Sequence, residues 1–74
     1  MTDDGEDGVY LESFGRRLAA LRVQRGLSQE ELGAASGLRA VEVRRVERGQ
    51  RDLSVLVLAE LARALSVPPG DLMP

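Results

Sequence analysis

The residues of this sequence that are best suited to chemistry are arginines concentrated between positions 39 and 51. They are Arg39, Arg44, Arg45, Arg48 and Arg51. Only Glu42 and Glu47 oppose them there, although the whole chain has a net charge of −2. A planar guanidinium group binds phosphate, or the edge of a guanine, through two parallel hydrogen bonds. The segment therefore favours a polyanion as its partner.

The negative balance of the chain comes from its first eight residues. Asp3, Asp4, Glu6 and Asp7 stand there without a basic residue, so the rest of the chain has more basic than acidic side chains. A segment with low hydrophobicity and one sign of charge gains little from burial. We expect residues 1–9 to be a disordered acidic tail and residues 10–74 to form one small domain.

The composition argues against catalysis, metal binding and membrane insertion. The 74 residues include no histidine and no cysteine, and the adjacent Glu30 and Glu31 would diverge on a helix instead of sharing a substrate. The longest apolar run, at 55–59, is far shorter than the ~20 residues of a membrane span. We expect a cytoplasmic protein that is not an enzyme and has no metal, no cofactor and no membrane partner.

Helices must position the arginines, because apolar residues recur at helical spacing. Phe14, Leu18 and Leu21 form one stripe, which predicts a first helix that begins near Ser13 and ends at Gly26. A third helix is expected from about 39 to 48 and a fourth after 54, with at most one further turn after the prolines at 68 and 69. The predicted fold class is all-α.

The second helix has the clearest boundaries. Ser28 and Glu31 have the spacing of a capping box, in which each side chain bonds the other residue's backbone N–H. Leu27 and Leu32 flank this cap as a hydrophobic staple. Gly37 ends the helix after about two turns.

The second and third helices have the spacing of a helix-turn-helix. One helix crosses another steeply only if a small residue lies at the crossing and the turn tolerates positive φ. Gly33 and Gly37 meet these needs, and Val43 and Val46 would hold the third helix to the core. The third helix could then enter the major groove of DNA.

These residues, with "RGLSQEEL", "ERG" and "LAELARALSV", closely resemble the phage-repressor/Cro-like (XRE) family over residues 14–72. The resemblance implies a lambda-repressor-like bundle of four to five helices, which binds an inverted-repeat operator in double-stranded DNA as a homodimer and regulates transcription. "RDLS" also resembles the controller proteins of restriction–modification systems. Gly33 departs from the family, which usually has alanine there, and it is expected to cost some helix stability.

The resemblance assigns roles by position. The residues expected to face bases are Arg39, Ala40, Val41, Glu42 and Arg45, and those expected to contact phosphates are Ser28, Gln29, Arg44, Arg48 and Arg51. Glu42 has two interpretations, a hydrogen bond to cytosine or the holding of a neighbouring arginine. Arg22 and Glu47 are expected to form a structural ion pair, so Arg22 is not counted as a DNA contact.

An apolar patch is expected to join two copies of the chain. It comprises Leu56, Val57, Leu72 and Met73. Burial within the chain, beneath Val9, Tyr10 and Leu11, is the alternative. A different function also remains open, namely an antitoxin or another interaction module that keeps the fold and binds a protein partner.

Overall fold

Four α helices make up the part of the chain that the structure, a computed structural model, describes: residues 4–72, with side chains from residue 10 onward. They are α1 (Asp4–Gln24), α2 (Gln29–Ser36), α3 (Ala40–Glu47) and α4 (Val55–Leu65), followed by a 3-10 turn at Pro69–Leu72. The predicted all-α class is confirmed. Across residues 4–72, every helix falls short of the length or the apolar character that a membrane crossing requires.

Helix α1 begins earlier than the sequence predicts. It starts at Asp4, so Ser13 lies inside the helix and is not its N-cap. A proline before Ser13 would interrupt a helix that extends through it, but no proline occurs before residue 68. Residues 4–9 have helical backbone, and residues 1–3 lie outside the described residues.

The ends of the next helices follow local signals. The Ser28 hydroxyl accepts a hydrogen bond from the N–H of Glu31 at 3.0 Å, and the Glu31 carboxylate accepts one from the N–H of Ser28 at 2.8 Å. Gly37 ends α2 with a φ of 78°. Ser54 caps α4 by accepting a hydrogen bond from the N–H of Val57 at 3.1 Å. The predicted capping box and helix ends are confirmed.

The core is formed by residues from all four α helices and from the 3-10 turn. Its fully buried members are Phe14, Leu18, Leu32, Val43, Val46, Leu61, Ala62, Leu65 and Leu72. Leu27 packs beside this cluster and is only partly buried, as befits the residue before an N-cap. The apolar residues predicted to face inward on α1 and α3 contribute to it, so the helical periodicity correctly identified these buried faces.

Two glycines allow α3 to approach its neighbours closely. A Cβ on Gly33 would lie 2.6 Å from the carbonyl oxygen of Leu38, where the chain enters α3. A Cβ on Gly15, in α1, would lie 2.5 Å from the carbonyl oxygen of Val46. Gly33 therefore has two effects: it lowers the stability of α2, and it allows α3 to approach α2 closely. An alanine there would push the turn and α3 away from α2.

Candidate nucleic-acid interface

The outward face of α3 carries three arginines that have no partner among the described residues. Val43 and Val46 point into the core and are completely buried. Arg44, Arg45 and Arg48 are exposed, and within residues 10–72 no hydrogen bond or ion pair engages their side chains. Consecutive helical residues are about 100° apart, so Arg44 and Arg45 diverge. Their guanidinium groups are available to bind an external anion.

The N-terminal end of α3 is more apolar than the part that carries Arg44 and Arg45. Arg39 is the N-cap residue, and its side chain is almost entirely exposed. Ala40 and Val41 are half-buried, so only part of their apolar surface faces outward. This end can offer one guanidinium group and small apolar contacts to a partner.

Glu42 is tied to its surroundings on three sides. Its carboxylate accepts a hydrogen bond from the N–H of Arg39 at 2.9 Å and lies 3.8 Å from the Arg39 Nε. On the other side it lies 3.6 Å from the Nη2 of Arg51. The hydrogen bond from Arg39, helped by the charges of Arg51, Arg39 and Arg45, holds the pKa of Glu42 below its ordinary value, although burial opposes this shift. The arrangement matches the interpretation in which Glu42 holds a neighbouring arginine.

Arg51 lies in the loop between α3 and α4 and is partly covered. Its side chain is 32% exposed, and its Nη1 is buried without a hydrogen-bond partner in the described part of the chain. Among the residues whose side chains are described, it approaches one carboxylate, that of Glu42. This residue is therefore held against the protein, unlike the exposed arginines of α3.

A second charged cluster fastens α3 to the rest of the domain. Arg22 of α1 binds Glu47 with Nε–Oε2 at 2.5 Å and Nη2–Oε1 at 3.3 Å, and its Nη1 donates to the carbonyl oxygen of Leu27 at 2.8 Å. The side chains of Arg22 and Glu47 are 16% and 7% exposed. The structure thus brings together the two residues expected to pair, and the pair links α1 to the last turn of α3.

Gln29 belongs to the same cluster, which its sequence position did not indicate. Its side-chain amide donates to Oε1 of Glu47 at 2.9 Å, so it faces the protein and not an external phosphate. Its backbone N–H remains free of an intrahelical acceptor, as in any first helical turn. Ser28 uses its hydroxyl oxygen to cap α2, which leaves the hydroxyl proton for an anion.

The pair of helices joined at Gly37 also matches a family model. Residues 18–72 match the model described as Helix-turn-helix. The chain belongs to this helix-turn-helix family.

Relatives of this helix-turn-helix domain include transcriptional regulators. The transcriptional repressor RghR of Bacillus subtilis is 39% identical over 64 residues, which cover 85% of the chain and 47% of RghR. The chain therefore spans about half the length of that relative.

Two solved structures are similar over most of their own length. The restriction-modification controller protein C.AhdI from Aeromonas hydrophila has a TM-score of 0.84 and 48% identity, covering 85% of this chain and 96% of that one. The DNA-binding domain of BldD has a TM-score of 0.82 and 39% identity, covering 90% and 97%. The fold of these two structures and the family model thus indicate the same helix-turn-helix domain.

The apolar patch expected to join two helix-turn-helix domains is only partly present. Leu56 is 78% exposed, but Val57 packs against the core and Leu72 is completely buried in it. Leu72 must therefore be removed from the patch, because the 3-10 turn folds it inward against α1 and α4. Met73 lies outside the described residues. Val55, 82% exposed, is the neighbour of Leu56 on the remaining surface.

The first residues of α1 whose side chains the structure describes lie beside this surface. Tyr10 and Leu11 of α1 line a cavity of about 420 Å³ together with Val55 and Leu58 of α4. They border α4 but leave Val55 exposed. The side chain of Val9 lies outside the described part of the structure.

One structural residue of the helix-turn-helix domain escaped the sequence analysis. Gly15 allows α1 to contact the backbone of the last turn of α3. An isolated glycine inside a helical pattern is the available signal, because it costs helix stability and usually marks a close approach. Its neighbour Phe14 belongs to the predicted apolar stripe, so the sequence alone places Gly15 near the core, and the structure buries Phe14 there.

Proposed function

We propose that this chain is a sequence-specific DNA-binding regulator of transcription whose α3 enters the major groove. The observation that carries this proposal is the division of α3 into two faces. The inward face is fixed by Val43, Val46 and the Glu47 cluster, while Arg44 and Arg45 extend outward without partners among the described residues. A rigid helix with free guanidinium groups suits both phosphate binding and base recognition.

Within that complex, Arg45 is proposed to bind guanine through two hydrogen bonds to O6 and N7. Arg39, Ala40 and Val41 face neighbouring bases, and the two alkyl side chains contact a thymine methyl group. Glu42 holds the N-terminal end of α3 through its hydrogen bond from the N–H of Arg39.

Phosphate contacts surround these base contacts. They come from the side chains of Arg44, Arg48 and Arg51, from the hydroxyl of Ser28 and from the backbone N–H of Gln29. The start of α2 favours an anion, because its free N–H groups point outward. A phosphate contact made by the backbone N–H of Gln29 is compatible with the hydrogen bond from its side chain to Glu47.

We further propose that two copies bind an inverted repeat. A twofold dimer presents two α3 helices about 34 Å apart, on successive major grooves of one DNA face. Val55 and Leu56 are large apolar side chains exposed on α4, and burying them is favourable.

A restriction–modification controller is the specific form of regulator that the similarity favours. The basis is the 48% identity to C.AhdI, together with coverage of 96% of that chain. The "RDLS" segment at residues 51–54 adds to it.

The test is selection of bound duplexes from a random DNA pool, followed by salt titration of the recovered sequence. We expect a short inverted repeat and an affinity that falls steeply with salt. Absence of an enriched sequence, or binding without a salt dependence, would contradict the proposal. Capture of a protein with no DNA binding would instead support the interaction-module alternative.

Substitution of Arg45 tests the base contact. Arg45→Ala is expected to weaken the recovered duplex by ~1–3 kcal/mol and to relax one base position. Arg63→Ala is the matched control, since Arg63 donates to the carbonyl oxygen of Ala35 at the opposite end of α2 from Ser28. Equal effects of the two substitutions would remove Arg45 from the base-contacting set.

A further inference from the structure

Glu42 is a negative charge placed inside the positive surface of α3. It lies between the N-cap residue Arg39 and the loop residue Arg51 and approaches both. A carboxylate so close to DNA phosphates opposes binding, since like charges repel. Its presence therefore calls for a role that outweighs this repulsion.

The contact between Glu42 and Arg51 is incomplete. The distance from Nη2 of Arg51 to Oε2 of Glu42 is 3.6 Å, which is longer than a hydrogen bond. The other terminal nitrogen, Nη1, is buried and has no partner among the described residues. A guanidinium group with a buried N–H that lacks an acceptor is destabilised, and its free energy falls when it moves to a better acceptor.

A phosphate oxygen is such an acceptor, and the Arg51 side chain is exposed enough to reach one. When Arg51 moves, Glu42 keeps the N–H of Arg39 but loses its charged neighbour across the loop. In the major groove, the exocyclic amino group of cytosine is the donor that suits a carboxylate. Sequences without such a donor leave Glu42 with an unpaired oxygen near phosphates.

On the basis of the proposed function, we propose that Glu42 is a specificity-determining residue that acts by exchange of partners. In the free protein it holds Arg51. In the DNA complex Arg51 binds a phosphate, and Glu42 accepts a hydrogen bond from a base amino group. Glu42 thus weakens binding to sequences that lack this donor, and it links a backbone contact to base recognition.

The substitution Glu42→Gln separates charge from structure. Glutamine accepts the N–H of Arg39 through its side-chain carbonyl, so the N-cap hydrogen bond of α3 is kept, and at neutral pH the variant should stay folded and lose only the contribution of the charge. Affinity for a 30-base-pair duplex of scrambled sequence is expected to rise about two- to fivefold. Affinity for the duplex recovered by selection should stay constant or fall, so the ratio of the two affinities decreases.

Two controls make the result specific. Glu60→Gln removes the same charge from an exposed pair with Arg63 on α4, away from α3, and reports the effect of net charge alone. Arg51→Gln, combined with Glu42→Gln, reports whether Glu42 acts through Arg51. We expect the part of the gain on scrambled DNA that exceeds the effect of Glu60→Gln to disappear in the Arg51→Gln background.

The outcomes distinguish this proposal from the function on which it rests. If the wild-type protein binds neither duplex, both fail. If it binds but Glu42→Gln and Glu60→Gln have equal effects on both duplexes, only the role of Glu42 is overturned. A gain that persists without Arg51 also overturns it.

Discussion

The ion pair between Arg22 and Glu47 provides the sharpest test of how the domain holds α3. The pair is mostly buried, and Glu47 accepts hydrogen bonds from both Arg22 and Gln29. Glu47→Ala leaves the Arg22 guanidinium group with one protein acceptor, the carbonyl oxygen of Leu27. Removing one partner of a buried pair costs ~3–5 kcal/mol, and the residual exposure of Arg22 places this case near the lower limit.

The expected loss of about 3 kcal/mol corresponds to a large shift in melting temperature. For a domain of this size, each 1 kcal/mol lowers the melting temperature by ~4–8 °C, so Glu47→Ala should lower it by more than 10 °C. Thermal and urea denaturation, followed by circular dichroism, measure the change. The double variant Arg22→Met with Glu47→Leu should recover most of the stability, because no buried charge remains unpaired.

The exposed pair of Glu60 and Arg63 is the matched control. Both side chains are about half or more exposed, and such a pair contributes ~0–1 kcal/mol. Glu60→Ala should therefore change stability by less than 1 kcal/mol. The reasoning is refuted if Glu47→Ala is as mild as Glu60→Ala, or if the double variant is as unstable as Glu47→Ala.

Four further predictions concern single residues. Gly33→Ala should destabilise the domain by ~1–3 kcal/mol in urea denaturation, because the added Cβ meets the backbone of the following turn. Leu72→Ala should cost ~2–5 kcal/mol, whereas Leu56→Ser should keep stability and shift sedimentation from dimer to monomer. Because folding lowers the pKa of Glu42, its contribution to stability is complete above the unfolded pKa of ~4.3 and is lost as pH falls through the lower folded pKa. Stability measured against pH should therefore fall less steeply in acid for Glu42→Gln than for wild type.

Three of these predictions have an opposing result that would overturn their reasoning. A gain in stability for Gly33→Ala would mean that helix propensity outweighs the close contact, and Gly70→Ala, with open space around it, is the control. A dimer that survives Leu56→Ser would place the dimer interface elsewhere. Parallel acid limbs for Glu42→Gln and wild type would show that the hydrogen bond with Arg39 does not persist in solution.

The sequence predicted what depends on short stretches of chain. Ser28, Gly37 and Ser54 mark helix ends through bonds or dihedral angles within a few residues, so their types and spacing were sufficient. The buried faces of α3 and α4 followed from helical periodicity for the same reason. The steep crossing of α2 and α3 also has a local signature, in Gly33 and Gly37.

The sequence could not predict contacts that tertiary packing decides. Gln29 has the same amide whether it binds a phosphate or Glu47, and only the approach of α3 to α2 selects the latter. Leu72 follows two prolines and resembles an exposed terminal residue, but the 3-10 turn carries it into the core. The contact between Glu42 and Arg51 likewise depends on where the loop carries Arg51.

The separation between the two faces of α3 also bears on how such a domain can change its target. Val43, Val46 and Glu47 hold the helix, and none of them is exposed. Arg44 and Arg45 make no side-chain hydrogen bonds or ion pairs in the described structure, so their replacement removes no such internal bond. If the proposed function holds, stability and the choice of operator are encoded at different positions, so substitutions at the outward positions can change which operator is bound while the domain stays folded.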